Sequence, residues 1–487
     1  MELLDILILN PNYFIRHDET RSLLWARSEK VTKDFFTVSF HSFIHPYHGQ
    51  LLSLFDGYNT VEDVLDKSIL GNKDRAGAFE FISRMVENEK IFRVNGEIEF
   101  LFPKNLLLRK KEKCVASNSL HQDYSFIKLD FQSTKLNFPL YITYMVNTIC
   151  HTDCIYCYAD CRVRKKRQIP LEKIEELFDE IEKHPILDFT IMGGEFFLDE
   201  NWELILLRLK DLKLFPVIST KIPISEKIIE KLKALGVDKI QISLDSVNPD
   251  ILSRLLKVNG EKYISDMKKA FVLLKQYGIK TKVNAVITRY NETVDELRDL
   301  LSFLSEYDII SVAVIPAGFS LYKSLDYMPS EEAVDILEKY VKEVSRDFDF
   351  HLRVADSLPK ECIMGCSAVK GKYFEERSLC TGNLWQAFIM PNGDVTYCEG
   401  TMSQKDLILG NICEKTFSEV WKSGFCNHVF NKMNYRSTDC GTCKAFDECH
   451  KGKGVCWKLI IQGYGDKYIY YPDPRCPKAP PIVNRLY

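Results

Sequence analysis

A chain of 487 residues is too long for one ordinary domain, and its length suggests roughly three. Its 46% hydrophobic content excludes a disordered polypeptide. A formal net charge of -3 excludes whole-chain attraction to nucleic acid or to an anionic membrane surface.

The opening "MELLDILILNPNYF" holds an apolar run, but Glu2 and Asp5 precede or interrupt it and no basic segment leads in. It reads as a first strand rather than a signal peptide. No run approaches the ~20 apolar residues of a membrane span, so a cytoplasmic protein is expected. In "YNTVEDVLDKS", Thr60 is an N-cap with Asp63 three residues on, and Val61, Val64 and Leu65 share a helix face. "RAGAFEFISRMVENEK" predicts a second helix, with Phe79, Ile82 and Val86 at helical spacing. "KIFRVNGEIEFLF" predicts two strands around an Asn95-Gly96 type I′ turn. Helices followed by a two-stranded wing predict a small winged-helix domain over residues 1–110. DNA binding is the ordinary role of such a domain, but these helix faces carry as many acids as bases. The stretch "LLLRKKEKCVASNSLHQD", residues 106–123, is polar, basic and aperiodic, and residues 111–137 read as a linker.

From residue 138 strands and helices alternate. "YITYMVN" is followed by a cysteine loop and the helix "PLEKIEELFDEIEKH". "DFTIMGG", "FPVIST", "DKIQISLD", "KTKVNAVIT" and "ISVAVIPAG" then each precede an amphipathic helix. These are six βα units whose strands are apolar on both faces, as buried parallel strands must be. Six are too few to close an eight-stranded barrel, so the fold class is α/β with a partial (β/α)6 barrel over residues 138–357. Active sites in such folds lie at the carboxyl ends of the strands, where the cysteine loop sits. From residue 358 to 487 the period is lost, turn residues and cysteines dominate, and a small metal-organised domain is expected.

The 16 cysteines are clustered. Cys114 stands alone in the first 149 residues, one group runs from Cys150 to Cys161, and the rest fall between Cys362 and Cys476. In a reducing compartment such clusters are more often metal ligands or redox groups than disulfides. The spacing Cys150-x3-Cys154-x2-Cys157 supplies three thiolates from one tight loop. Three ligands satisfy three irons of a four-iron cluster and leave one iron open. The rival readings are a zinc ion with Cys161 as fourth ligand and a chance grouping of buried cysteines. The basic run Arg162–Arg167 that follows reads as a solvated loop.

With Tyr156 before its last cysteine, and placed after the first strand of a partial barrel, this loop resembles the signature of the radical S-adenosylmethionine (SAM) enzymes. Further matches fall at the strand ends. "MGGE" places Gly193, Gly194 and Glu195 as in the family's Gly-Gly-Glu motif, which holds the methionine amino group. "QISLDS" resembles its fourth-strand pattern with Ser243 and Asp245, Ser246 standing where glycine is usual. Arg254 falls near the arginine that meets the methionine carboxylate, Asn284 in "VNAVITRYN" matches the fifth strand, and "VIPAG" matches the adenine-facing sixth.

The second region, "CTGNLWQAFIMPNGDVTYC" with "CGTCKAFDEC" and "DPRC", resembles the SPASM extension that holds auxiliary four-iron clusters. The pattern expects a cysteine four residues after Cys449, where Lys453 stands, so an insertion of three residues must bring Cys456 into that place. The resemblance then implies that Cys440, Cys443, Cys449 and Cys476 hold an outer cluster. Cys380, Cys398 and Cys456 would hold an inner one, with Cys362 or Cys366 as fourth ligand or an open iron. A zinc ribbon on Cys440, Cys443, Cys449 and Cys456 is the alternative. Cys114, Cys161, Cys413 and Cys426 read as buried small hydrophobes or free thiols. Glu399, directly after Cys398, stands where sulfatase-maturating relatives carry an acid that takes a proton from substrate.

"GQLLSLFDGYNTVEDVL" resembles the precursor-recognition domain of radical enzymes that modify ribosomal peptides. The resemblances together imply SAM, a SAM-binding [4Fe-4S] cluster, one or two auxiliary clusters and a 5′-deoxyadenosyl radical. They also imply a precursor peptide whose leader binds residues 1–110, and a reducing donor such as flavodoxin or ferredoxin. The expected reaction is an intramolecular thioether or carbon-based crosslink. A peptide epimerase or a sulfatase-type Cys/Ser oxidase is the rival enzyme, and a zinc-organised winged-helix DNA-binding or interaction protein the rival of another class.

Overall fold

Thr60 starts its helix as its neighbours demand. Its hydroxyl accepts from the Asp63 backbone N–H at 3.1 Å, while the Asp63 carboxylate accepts from the Thr60 N–H at 2.9 Å. This reciprocal cap opens the helix Val61–Lys67. The structure, a computed structural model, describes residues 1–27, 38–94, 98–110, 122–159, 168–320, 322–355, 360–423, 427–484 and 486. The chain divides into two units, Met1–Phe138 and Pro139–Tyr487. The Asn95-Gly96 turn, Cys114, Cys161, the run Arg162–Arg167 and Cys426 lie outside the described residues.

In the first unit, Tyr13–His17, Ser22–Arg27 and Val38–Ile44 form an antiparallel sheet. Ile6–Leu9 runs between Asp56–Thr60 and Leu107–Arg109 in a second. The helices Pro46–Ser53, Val61–Lys67, Ile69–Lys73 and Arg75–Met85 precede a pair of strands, Phe92–Val94 with Phe100–Phe102. Their core is built from Leu51, Leu52, Phe55, Val64, Leu65 and Ile82, all fully buried. The described part of the segment read as a linker is not loose. Tyr124 enters this core at 4% exposure. Buried Arg16 donates to the Phe138 carbonyl at 2.7 Å and Arg21 to those of Ser133 and Lys135 at 2.5 and 3.1 Å. Asp18, also buried, accepts from the Asn137 backbone N–H at 3.1 Å. Burying three charged side chains is tolerable because they face one another and because main-chain groups of residues 133–138 satisfy them. The segment is a strap, for which its polar composition gives no clue.

In the second unit the first and second expected strands, Tyr141–Met145 and Asp188–Met192, pair in parallel. The third is reduced to Ser219–Thr220, because only the end of "FPVIST" meets its neighbour Lys239–Ser243. Lys280–Ile287 and Ile309–Pro316 continue the parallel sheet. A further parallel strand, His351–Val354, joins the sixth, too short at 4 residues to stand out in the sequence. The helices between bury one stripe each: Ile174, Leu177, Phe178 and Ile181 in Leu171–Lys183 are typical.

The cysteine-rich end contributes to the same unit. Gln386–Ile389 lies parallel to the first barrel strand, with Ala387 opposite Ile142. It turns through Gly393, at φ +90°, into the antiparallel strand Asp394–Thr396. An added Cβ at Gly393 would lie 2.7 Å from Asn411 Oδ1 and 2.8 Å from Cys413 Sγ, so glycine is required twice over. Among the described residues no helix is long and apolar enough to cross a membrane.

Candidate active site

The loop that carries Cys150, Cys154 and Cys157 leaves the first barrel strand and is tied to the strands and helices around it. Asn147, buried at 1% exposure, accepts from the Ile149 backbone N–H at 3.0 Å and donates to the Glu195 carbonyl at 3.0 Å. The backbone N–H groups of Asp153 and Ile155 donate to the carbonyls of Leu256 and Leu255, in the last turn of the helix Pro249–Leu256, at 2.9 and 3.0 Å. Ser320 donates to the Cys157 carbonyl at 2.7 Å, and Lys323 pairs with Asp153 at 2.5 Å. Cys154 is buried and the other two thiols half-buried.

Gly193 and Gly194 are needed by this loop. The Gly194 N–H donates to the Asn147 carbonyl at 2.8 Å, and the Glu195 N–H to that of Ile149 at 2.6 Å. A Cβ on Gly194 would sit 2.2 Å from Ile149 O, and one on Gly193 2.7 Å from Asn147 O. The Gly-Gly pair therefore lets the second strand's end and the cysteine loop approach backbone to backbone.

Glu195 is 2% exposed. It accepts from Thr220 Oγ1 at 2.9 Å and from the backbone N–H groups of Lys221 and Phe197 at 3.3 and 3.4 Å. Burial outweighs those bonds and pushes its carboxyl up to about 7. Asp245, whose side chain is fully buried, receives the Lys221 ammonium at 3.0 Å, the Val286 N–H at 3.0 Å and the Tyr156 hydroxyl. Tyr263 donates to the Lys221 carbonyl at 2.7 Å, and buried Asn291 donates to the Asp245 carbonyl at 2.8 Å. Tyr156 is thus a hydrogen-bond donor as well as a packing ring. Ser246 makes a turn without glycine, its hydroxyl accepting from the Asn248 N–H at 2.9 Å and donating to Glu296 at 3.0 Å.

Ser243 accepts from Gln241 at 3.0 Å, and the Asn284 carboxamide oxygen is buried without a hydrogen-bond partner. Arg254 is exposed and lies over the Tyr290 ring at 3.8 Å, adjacent to the two carbonyls that anchor the cysteine loop. Sequence reasoning did not single out Asn147, Thr220, Lys221, Tyr263 or Asn291. Their positions at strand and helix ends are the only signal, and that signal is shared by many residues with no such contacts.

The remaining thiols fall into two groups. Cys440 lies in the field of Cys476, Cys449 and Cys443, whereas Cys398 lies in that of Cys456 and Cys380. Cys456 therefore associates with Cys380 rather than with Cys440. The residues Glu448–Lys453 wind as a π-helical turn with non-helical Gly452, and Gly454 follows at φ +75°. This wide turn absorbs the insertion of three residues and delivers Cys456 to the start of the helix Trp457–Tyr464. Burial pushes the Cys398 and Cys440 thiols up to about 12, and those of Cys449 and Cys456 up to about 11. Cys362 is buried beside Arg475 and Asp473, and Cys366 is exposed. Asp473 joins the two groups. It accepts from the Cys456 N–H at 2.9 Å and takes Arg475 bidentately at 2.9 and 2.8 Å, while its carbonyl accepts from the Cys476 N–H at 2.8 Å. Arg377 donates to Cys449 Sγ at 3.5 Å. Glu399 pairs with Lys458 at 2.8 Å; burial raises its carboxyl, but the ammonium more than offsets this and leaves it below the usual carboxylate range.

The residues fit the implied groups. The loop offers three thiols, the two glycines let the second strand's end close on that loop, and Asn284 has a buried acceptor with no hydrogen-bond partner. Among the described residues, no three His, Cys, Asp or Glu side chains converge closely enough to hold one metal ion. With Cys456 outside the Cys440 group, a single zinc shared by those cysteines has no support in the geometry.

Residues 144–304 match the radical SAM superfamily, and residues 380–445 match the SPASM iron–sulfur cluster-binding domain. Mycofactocin maturase MftC of Mycolicibacterium smegmatis is 22% identical over 352 residues, covering 70% of this chain and 83% of the relative. A PqqA peptide cyclase of Ruegeria pomeroyi is 25% identical over 341 residues, covering 68% and 85%. Streptococcus suis SuiB bound to precursor peptide SuiA shares the fold, with a TM-score of 0.61 at 16% identity over 96% of this chain and 99% of that one. SuiB has also been solved bound to SAM, with a TM-score of 0.60. The two matched domains imply SAM, a SAM-binding [4Fe-4S] cluster and auxiliary clusters. The chain therefore carries a region matching the radical SAM superfamily, residues 144–304, followed by one matching the iron–sulfur cluster-binding SPASM domain, residues 380–445.

Proposed function

We propose that this enzyme is a peptide maturase, which takes hydrogen from a ribosomally made precursor and installs an intramolecular thioether or carbon-based crosslink. The observation that carries the reading is a single loop bearing three thiols, held backbone to backbone by the Gly193-Gly194 pair next to buried Glu195 at the carboxyl ends of the barrel strands, with two further groups of thiols in the same unit. The relatives named as a mycofactocin maturase and a PqqA peptide cyclase support a peptide as substrate.

Cys150, Cys154 and Cys157 would hold the SAM-site cluster, which with SAM supplies a 5′-deoxyadenosyl radical able to abstract hydrogen from unactivated carbon. The chain's own work is orientation. Thr220 and the Lys221 N–H orient Glu195, which would accept a hydrogen bond from the methionine amino group, and such a donor favours the ionised carboxylate. Gly193, Gly194, Ser243, Asp245, Asn284 and Arg254 would complete the SAM pocket, with Tyr156 fixing Asp245. Cys440, Cys443, Cys449 and Cys476 would hold the outer auxiliary cluster, and Cys380, Cys398 and Cys456 the inner one. Glu399, kept ionised by Lys458, is ready to accept a proton from substrate. Residues 1–110, as a winged-helix domain, would take the leader as an added strand on a sheet edge. Flavodoxin or ferredoxin would supply the reducing electron.

Co-expression with candidate precursor peptides, followed by mass spectrometry, tests the reading. A crosslink removes hydrogen from the peptide. Unchanged mass in water with uptake of deuterium from heavy water would instead establish epimerisation, and oxidation confined to one Cys or Ser a sulfatase-type reaction. Anaerobically purified protein that is colourless and holds zinc without iron or sulfide would overturn the enzyme reading altogether.

A further inference from the structure

Lys221 is the point where the residues around the cysteine loop meet. Its N–H donates to Glu195 at 3.3 Å and its carbonyl accepts from Tyr263 at 2.7 Å. Its ammonium bridges both Asp245 oxygens at 3.1 and 3.0 Å and lies 5.4 Å from the centre of the Tyr156 ring. The Lys221 side chain is 17% exposed and that of Asp245 0%, so the pair is shielded from the solvent that would screen a surface charge. Tyr156 stands between Cys154 and Cys157, so its contacts with Asp245 and with the Lys221 ammonium place this ion pair against the cysteine loop.

We propose that Lys221 is a positioning residue of the SAM site, a fixed cation that raises the reduction potential of the cluster held by Cys150, Cys154 and Cys157 and orders Asp245 and Tyr156 against it. The inference rests on the assignment of those three thiols to a SAM-binding cluster. Reduction would place one electron, taken from the external donor, on the cluster, with no proton transferred. A cation held at a short distance in a low-dielectric site stabilises the more negative, reduced state, and net charge near a cluster is one of the factors that set its potential.

The test is an EPR-monitored redox titration of the full-length, reconstituted holoenzyme, reading the cluster signal that changes when SAM is added. In Lys221→Met, at the wild-type midpoint, the ratio of reduced to oxidised SAM-site cluster should fall about tenfold, which is 59 mV for one electron. The auxiliary signals should not move, Lys221→Arg should restore the ratio, and Asp245→Asn, which leaves the cation unopposed, should shift it the opposite way. A role in packing alone would not give opposite signs for the two partners. A fully loaded Lys221→Met enzyme with the wild-type ratio, or with all clusters shifted alike, would overturn the proposal. If Lys221→Met fails to load this cluster, loading of Lys221→Arg supports the charge and failure of both overturns it. Absence of a SAM-responsive iron signal in the wild type would overturn the cluster assignment instead.

Discussion

Replacing Gly194 with alanine tests how the cradle is built. The new Cβ would stand 2.2 Å from Ile149 O and 2.6 Å from Ile149 C and N, all of them backbone atoms that cannot rotate away. To reach ordinary contact, Ile149 must recede by about an ångström, since packed interiors have no slack to absorb the overlap. The movement breaks two bonds, Gly194 N–H to Asn147 O at 2.8 Å and Glu195 N–H to Ile149 O at 2.6 Å. Overpacking of about 1–3 kcal/mol and about 1 kcal/mol for each lost bond give roughly 3–5 kcal/mol of local destabilisation. Ile149 precedes Cys150, so the strain falls on the cysteine loop. Anaerobically reconstituted Gly194→Ala should therefore lose one cluster's iron and its SAM binding while keeping the auxiliary iron. If Gly194→Ala retains full iron and unchanged SAM affinity, the cradle argument is refuted.

Asp473→Ala strips the bidentate partner from Arg475 and the acceptor from the Cys456 N–H; it should destabilise the cysteine-rich end by about 3–5 kcal/mol in chemical denaturation, and Asp473→Asn by clearly less. Cys456→Ser should deplete the same cluster as Cys398→Ser, leaving the one lost in Cys440→Ser intact; identical metal loss in Cys456→Ser and Cys440→Ser would return the zinc ribbon. The folded value of Glu195, about 7, lies above its ordinary 4.5, so its contribution to stability is complete below 4.5 and is lost as pH rises through about 7. A hydrogen bond from the methionine amino group would favour the ionised form. SAM should accordingly bind about tenfold, or about 1.4 kcal/mol, more tightly at pH 8 than at pH 6, and an affinity flat across that range contradicts the role given to Glu195.

The capping box at Thr60, the βα alternation and the glycine-bearing strand ends were legible because each is a local matter. Period, cap chemistry and a short motif all act within a few residues of one another. The opening cysteine loop was legible for the same reason, its three thiols being brought together by spacing within one turn. Tertiary structure alone decided the rest. The strap of residues 122–138 is held by Arg16, Asp18 and Arg21 from over a hundred residues away. The strand Gln386–Ile389 is apolar but only 4 residues long, and it finds its place only against Tyr141–Met145. The resemblance already grouped Cys456 with Cys380 and Cys398, but the π-helical form of the turn before it was not legible. Lys221, an ordinary lysine in "STKIP", becomes the partner of Asp245 because the third and fourth strands lie side by side. Local chemistry is written in neighbouring residues, whereas a buried charge is explained only by the groups that folding brings to it.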